Sequence, residues 1–178
     1  MLYTEKTLKT LEFDKIREML AAVALTEGAR SLALSLTPSN DIDEVVLRQR
    51  RTTDSKRLMN VKGMPPFGDV KDMENICDRA DKGAILTPRE LLDVANVLRT
   101  SRSLLDYIRT NRLFATSIDE VFERLIPNRP VEDRISRSII SEDMISDEAS
   151  PSLADVRRKI RAANVKVRET LARYTGGS

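Results

Sequence analysis

The sequence predicts a mostly α-helical fold: a multi-helix core with one small β-hairpin, followed by a C-terminal helix of the coiled-coil type. Three observations lead there. Charged residues make up 33% of the 178 and aromatics only 4%, with no Trp and six Gly, a profile of long helices with solvated faces and not of a sandwich or barrel. Apolar residues recur at steps of three and four along most of the chain. The clearest local signals are helix starts.

Leu11, Ile16, Met19, Leu20 and Val23 form one apolar stripe and predict a first amphipathic helix packed through it. Thr26 is placed to cap a second helix with stripe Ala29, Leu32, Ala33 and Leu36, which Thr37-Pro38 ends. Asp41, with Glu44 three residues on, opens a third that runs to about residue 60. Its stripe is mixed, with Gln49, Thr52 and Thr53, so it is expected to pack less firmly or to face a partner. After the loop 62–68, Asp69 is expected to begin a helix with Val70, Met73, Ile76, Cys77 and Ala80 inward. Thr87, Pro88 and Glu90 make a capping box with Pro at the first helical position, opening a helix of more than twenty residues along Leu91, Ala95, Leu98, Leu105 and Ile108. Ser117 with Glu120 predicts a short helix stopped by Pro127, and Pro130 restarts helix through Val131 and Ile135. Ile139, Ile140, Met144 and Ile145 around Ser141-Glu142-Asp143 predict the hairpin, although its turn has no glycine.

Ser150 caps and Pro151 starts the last helix. There Leu153, Val156, Ile160, Ala163, Val167, Thr170 and Tyr174 step three, four, three, four, which is an a/d heptad pattern. A globular helix carries a wider stripe, so this one is expected to project and pair with another helix. The same helix is basic. Arg157, Arg158, Lys159, Arg161, Lys166 and Arg168, with Arg173, stand against only Asp155 and Glu169. These cations are the candidate nucleic-acid contacts, since each neutralised phosphate adds salt-dependent affinity; the plainer reading is a solvated face beside the seam. A second cluster, Arg48, Arg50, Arg51, Lys56, Arg57 and Lys62, reads as solvated surface. The boundaries read from the sequence are 1–149 for the helical core, 150–174 for the seam helix and 175–178 for a flexible end, an added linker or a truncation point.

Composition also excludes. The chain has no His, which removes the usual base near neutral pH, the commonest zinc ligand and any His-activated nucleophile. Cys77 is the only cysteine, so no intrachain disulfide forms; it reads as a small hydrophobe, and a reducing cytoplasm is the expected location. The acid pairs Glu142-Asp143 and Asp147-Glu148 read as turn and surface residues, because neighbours on a strand point to opposite faces. No run approaches the length of a membrane span. The 30 basic and 28 acidic residues leave a net charge of +2, too small for a global field. GMPPFGDV, Gly63 to Val70, has the glycine spacing of a phosphate-binding P-loop, but Asp69 and Val70 stand where Lys and Ser or Thr are needed, and Pro65 and Pro66 have no N–H to point at a phosphate. No catalytic, cofactor or metal site is expected in this chain.

Taken in order, KTLEFDKIREMLA, GMPPFGDVKD, RADKGAILTPREL and ISDEASPSLADVRRKIR resemble the N-terminal part of the bacterial MutS-II family, the MutS-like proteins without the mismatch-recognition domain. The resemblance covers essentially the whole chain, though none of these segments is a catalytic motif. Asp69 departs from it where a second glycine often follows PPFG, as does the glycine-free hairpin turn. The resemblance implies a helical core whose last helix rises into a lever and clamp coiled coil. It implies a homodimeric parent that clamps branched DNA and restrains recombination, or engages stalled ribosomes. The ATPase domain, with ATP and magnesium, and the nuclease domain would lie elsewhere in that parent. GMPPFGDV then becomes a rigid Pro-Pro turn between core helices. Against this stands a second expectation: a helical interaction module whose seam docks a partner helix, with no nucleic-acid role.

Overall fold

The structure is a computed structural model that describes residues 3–111 and 114–175. The expected end segment 175–178 lies outside the described residues except for Thr175. The fold is helical with one two-stranded sheet, as the sequence predicts. The helices are α1 (Glu5–Thr10), α2 (Phe13–Ala22), α3 (Glu27–Leu34), α4 (Ile42–Lys62), α5 (Glu74–Asp81), α6 (Pro88–Arg109), α7 (Asp119–Glu123), α8 (Arg129–Ser138) and α9 (Pro151–Thr175). Strands β1 (Ile139–Ser141) and β2 (Met144–Ile145) pair antiparallel, Ile139 opposite Ile145 and Ser141 opposite Met144.

The first predicted helix is two. Glu12 takes a left-handed conformation (φ 53°) between α1 and α2, and the chain turns there. The predicted stripe also faces the wrong way: Leu11, Ile16, Met19, Leu20 and Val23 are all exposed. What α2 buries is Ala21, and α3 answers with Ala33. Two small residues let the backbones approach closely, and Arg17 Nη1 donates to Leu34 O at 3.1 Å across the joint. No described element covers the larger side chains on the far side. Thr26 caps α3 as expected, accepting from Ala29 N, and Leu32, expected inside, is 73% exposed.

Asp41 caps α4 through the amides of Asp43 and Glu44. The helix buries Leu58 and ends at Gly63, whose φ of 79° suits a residue without Cβ. Lys62 is tied down: Nζ donates to the carbonyls of Tyr107, Ile108 and Thr110 at 2.7, 3.2 and 2.6 Å, satisfying the C-terminal carbonyls of α6. The loop that follows is held on α6 as well. Tyr107 Oη donates to Gly63 O at 2.7 Å, Asn96 Nδ2 donates to Asp69 O at 2.8 Å, and Gly68 (φ 61°) lies against Thr100. The N–H of Phe67 is spent on Pro65 O. This is a turn fastened at both ends and not an anion cradle.

Helix α5 starts at Glu74 and not at Asp69, with Asp72 Oδ1 accepting from Glu74 N at 3.0 Å. Val70, Met73 and Ile76 are half-buried as expected, but Cys77 and Ala80 are exposed. Helix α6 is the centre of the molecule. Its capping box forms in full, and it buries Ala95, Thr100, Leu104, Leu105 and Ile108. Short α7 is not capped by Ser117: the side chain and amide of Ser117 both bind the Asp54 carboxylate of α4, at 2.6 and 2.7 Å, and Thr116 pairs with Asp119.

Helix α8 is capped by Asn128 and packs along α6 through a buried charge. Glu132 is 5% exposed. Its carboxylate accepts from Arg102 Nη2 at 2.9 Å and Nε at 3.3 Å, and from Arg99 Nε at 3.3 Å. The chain as a whole exposes 13844 Å², whereas a compact monomer of its mass, 20.1 kDa, exposes about 8,700 Å². Large apolar side chains contribute to the excess along α2, α3, α4 and α9 and in the loops, Ile85 and Ile126 among them.

Candidate partner-facing helix and its basic edges

Helix α9 stands on a small socket. The hairpin brings Ser146 back so that its amide donates to Ser138 O at 2.8 Å, and a single 3-10 turn, Asp147–Ala149, follows. Ser150 then caps α9, its Oγ accepting from Leu153 N at 3.1 Å, as the sequence predicts. Asp147 pins the first turns. Arg157 Nη1 reaches Asp147 Oδ1 at 2.6 Å and Ile145 O at 2.7 Å, and Arg161 Nη1 reaches Asp147 Oδ2 at 3.3 Å. The Arg157 hydrogen bond, helped by Arg161, holds the Asp147 carboxyl below its ordinary range.

Past Arg157 every described residue of α9 is exposed. Leu153 is half-buried against the socket, while Val156, Ile160 and Val167 are 51 to 56% exposed and Tyr174 84%. Ala163 and Thr170 are exposed on the same stripe and leave a shallow apolar groove between Val167, Leu171 and Tyr174. An apolar stripe this long in water is unusual for a finished surface.

The candidate nucleic-acid contacts divide into three groups. Arg157 and Arg161 are committed to Asp147, so they brace the helix. Arg158 and Lys159 both pair with Asp155 but remain 76% and 77% exposed, and such pairs are weak. Lys166 and Arg168 make no ion pair among the described residues and are exposed. These six cations are therefore not one continuous stripe. The cluster on α4, expected to be solvated, is partly structural: besides Lys62, Arg51 pairs with Glu120, Arg48 with Glu44, and the Arg57 guanidinium lies 4.0 Å from the Phe114 ring centroid. Of the acid pairs, Glu142 meets Arg89.

Sequence reasoning missed two features. One is the Glu132 pair of arginines. The other is an apolar recess of about 350 Å³ between α4, the Pro-Pro loop, α6 and α7, lined by Leu58, Met59, Phe67, Leu104, Phe122 and Leu125. Its walls come from four separated segments, so no local pattern signals it, and with almost no polar atom at its surface it offers no chemistry. Among the described residues no three His, Cys, Asp or Glu side chains stand together as a metal site, and no helix is long and apolar enough to cross a membrane.

No family model matches the chain. Individual relatives do. It is 41% identical over 171 residues to the protein named Endonuclease MutS2 of Acetivibrio thermocellus, 37% over 169 to that of Ruminiclostridium cellulolyticum, and 31% over 170 to that of Clostridium beijerinckii. Each match takes in 94% of this chain, which spans only 21 to 22% of the relative's length. Conformity over nearly the whole chain, with the helical fold and the segments set out above, makes this chain a member of the MutS-II family that corresponds to the N-terminal part of much longer proteins.

Proposed function

We propose that this chain is a non-catalytic core and lever segment of a MutS-II parent, in which a homodimeric ATPase acts on branched nucleic acid in the cytoplasm. The observation that carries the reading is α9: a helix anchored at its base by Asp147 and exposed for the rest of its length, with an apolar seam and unpaired cations. A rigid helix of 25 residues is about 37 Å long, so a small tilt at the socket becomes a large displacement at its tip. The core supplies the stiff base through α6 and the Glu132 pair. ATP and magnesium belong to another part of the parent, as does any nuclease centre that the relatives' name denotes. The parent's target is taken as branched DNA, with a stalled ribosome as the other member of the same nucleic-acid class.

The outer face of α9, with Arg158 and Arg168, is assigned to phosphates. The test is a fluorescence-anisotropy titration against a four-way DNA junction and a matched duplex across a salt series. Preference for the junction is expected, and replacing Arg158 and Arg168 by Ala should weaken binding and make the salt slope shallower by about two. Equal, weak binding to both at low salt, unchanged in the variant, would leave the chain as scaffold and favour the interaction-module reading, which the exposed seam also supports.

A further inference from the structure

The heptad register of α9 orders its charges in a way that bears on what covers the seam. With Ile160, Val167 and Tyr174 at a, and Val156, Ala163 and Thr170 at d, the g edge carries Lys159, Lys166 and Arg173, a cation at three successive turns of the repeat. The e edge carries Arg157, Asn164 and Leu171. Two acids stand beside the g row, both at c: Asp155, already shared by Arg158 and Lys159, and Glu169, which makes no ion pair among the described residues and leaves the row in excess of its counter-charges. In coiled coils these edge positions select the partner.

We infer that the α9 seam is built to receive an amphipathic helix whose facing edge is lined with carboxylates. This rests on the reading of α9 as an arm that requires a partner helix, and adds the chemistry of that partner. A second copy of this chain fits poorly. Antiparallel, it would set Lys159, Lys166 and Arg173 against the same row, like charge against like. Parallel, it would set them against Asn164 and Leu171, which offer no carboxylate, and would stack Ala163 on Ala163 and Thr170 on Thr170, leaving the layers underfilled. A phosphate backbone would satisfy the cations but leave Val156, Ile160 and Val167 in water. An acidic-edged helix satisfies both surfaces: bulky residues fill the groove at Ala163 and Thr170, and Glu or Asp side chains meet the basic edge.

The test uses this chain with synthetic four-heptad peptides that carry Leu at a and d and either Glu or Lys at e and g. The Glu peptide should bind at least about tenfold tighter than the Lys peptide, with the preference shrinking as salt rises. The combined variant K159E/K166E/R173E should reverse the preference, a gain of binding to the Lys peptide that misfolding does not produce. Equal affinity for the two peptides, no binding of the Glu peptide while circular dichroism shows α9 helical, or a stable self-associated dimer in sedimentation that I160D/V167D in the seam dissociates would overturn the inference. The junction titration is independent of it. Peptide selectivity without junction binding would keep this inference and reject the nucleic-acid reading, and the converse would do the opposite.

Discussion

Replacing Glu132 by Gln removes a charge and keeps the shape. In the native fold the carboxylate is buried and takes three hydrogen bonds from two guanidiniums, with Arg102 the stronger partner. A hydrogen bond to a charged group contributes about 1.5–3 kcal/mol net, and breaking a fully buried pair costs about 3–5 kcal/mol. Here Arg99 and Arg102 are 53% and 37% exposed and can rehydrate, and the Gln carbonyl still accepts one bond. The expected loss is therefore about 2 kcal/mol at neutral pH, or about 4–8 °C in Tm for a chain of this size. The pH dependence gives the check. The Arg102 hydrogen bond, above all, holds the Glu132 carboxyl below its usual value of 4.5. The unfolded chain therefore binds the proton more readily than the folded one, so the stabilisation is fully present above pH 4.5 and fades as pH falls through the lower folded value. Urea unfolding followed by circular dichroism should show the two proteins separated at pH 7 and converging below pH 4. A gap under about 0.5 kcal/mol at pH 7, or one that persists undiminished in acid, would refute the role given to the charge.

Two further outcomes are expected. Thr87→Ala removes the N-cap of α6 and should cost about 1 kcal/mol in urea unfolding. The Thr87 amide, first, and Arg79 push the Glu90 carboxyl down to about 2, so the part of the cap that depends on its charge is complete above pH 4.5 and is lost between pH 4.5 and 2, which the same titration would show. Gly68→Ala places a Cβ at φ 61°, 3.6 Å from Thr100 Oγ1; the left-handed conformation alone should cost about 1–2 kcal/mol, and amide exchange in 63–70 should quicken. Unchanged stability in Gly68→Ala would mean that the loop is not held in this turn.

The amino-acid sequence by itself determined the class of fold and the starts of α3, α4, α6 and α9. Thr26, Asp41, Thr87, Asn128 and Ser150 accept hydrogen bonds from amides two or three residues on. Of these, only Asn128 was not singled out beforehand. Such bonds need nothing beyond the local chain, so they can be read from spacing. The heptad of α9 was legible for the same reason. Which apolar stripes are buried was decided only by the tertiary structure, because burial requires a second surface. Leu11, Ile16, Met19, Leu20 and Val23 have the period of a core face, yet α2 meets α3 through Ala21 and Ala33 and the stripe stays in water. Ser117 had the spacing of a cap, and Asp54, 63 residues away, claimed it. Arg157 and Arg161 counted as free cations until the hairpin carried Asp147 to them. A charge is legible in a sequence; its counter-charge is set by the turns that bring distant segments together.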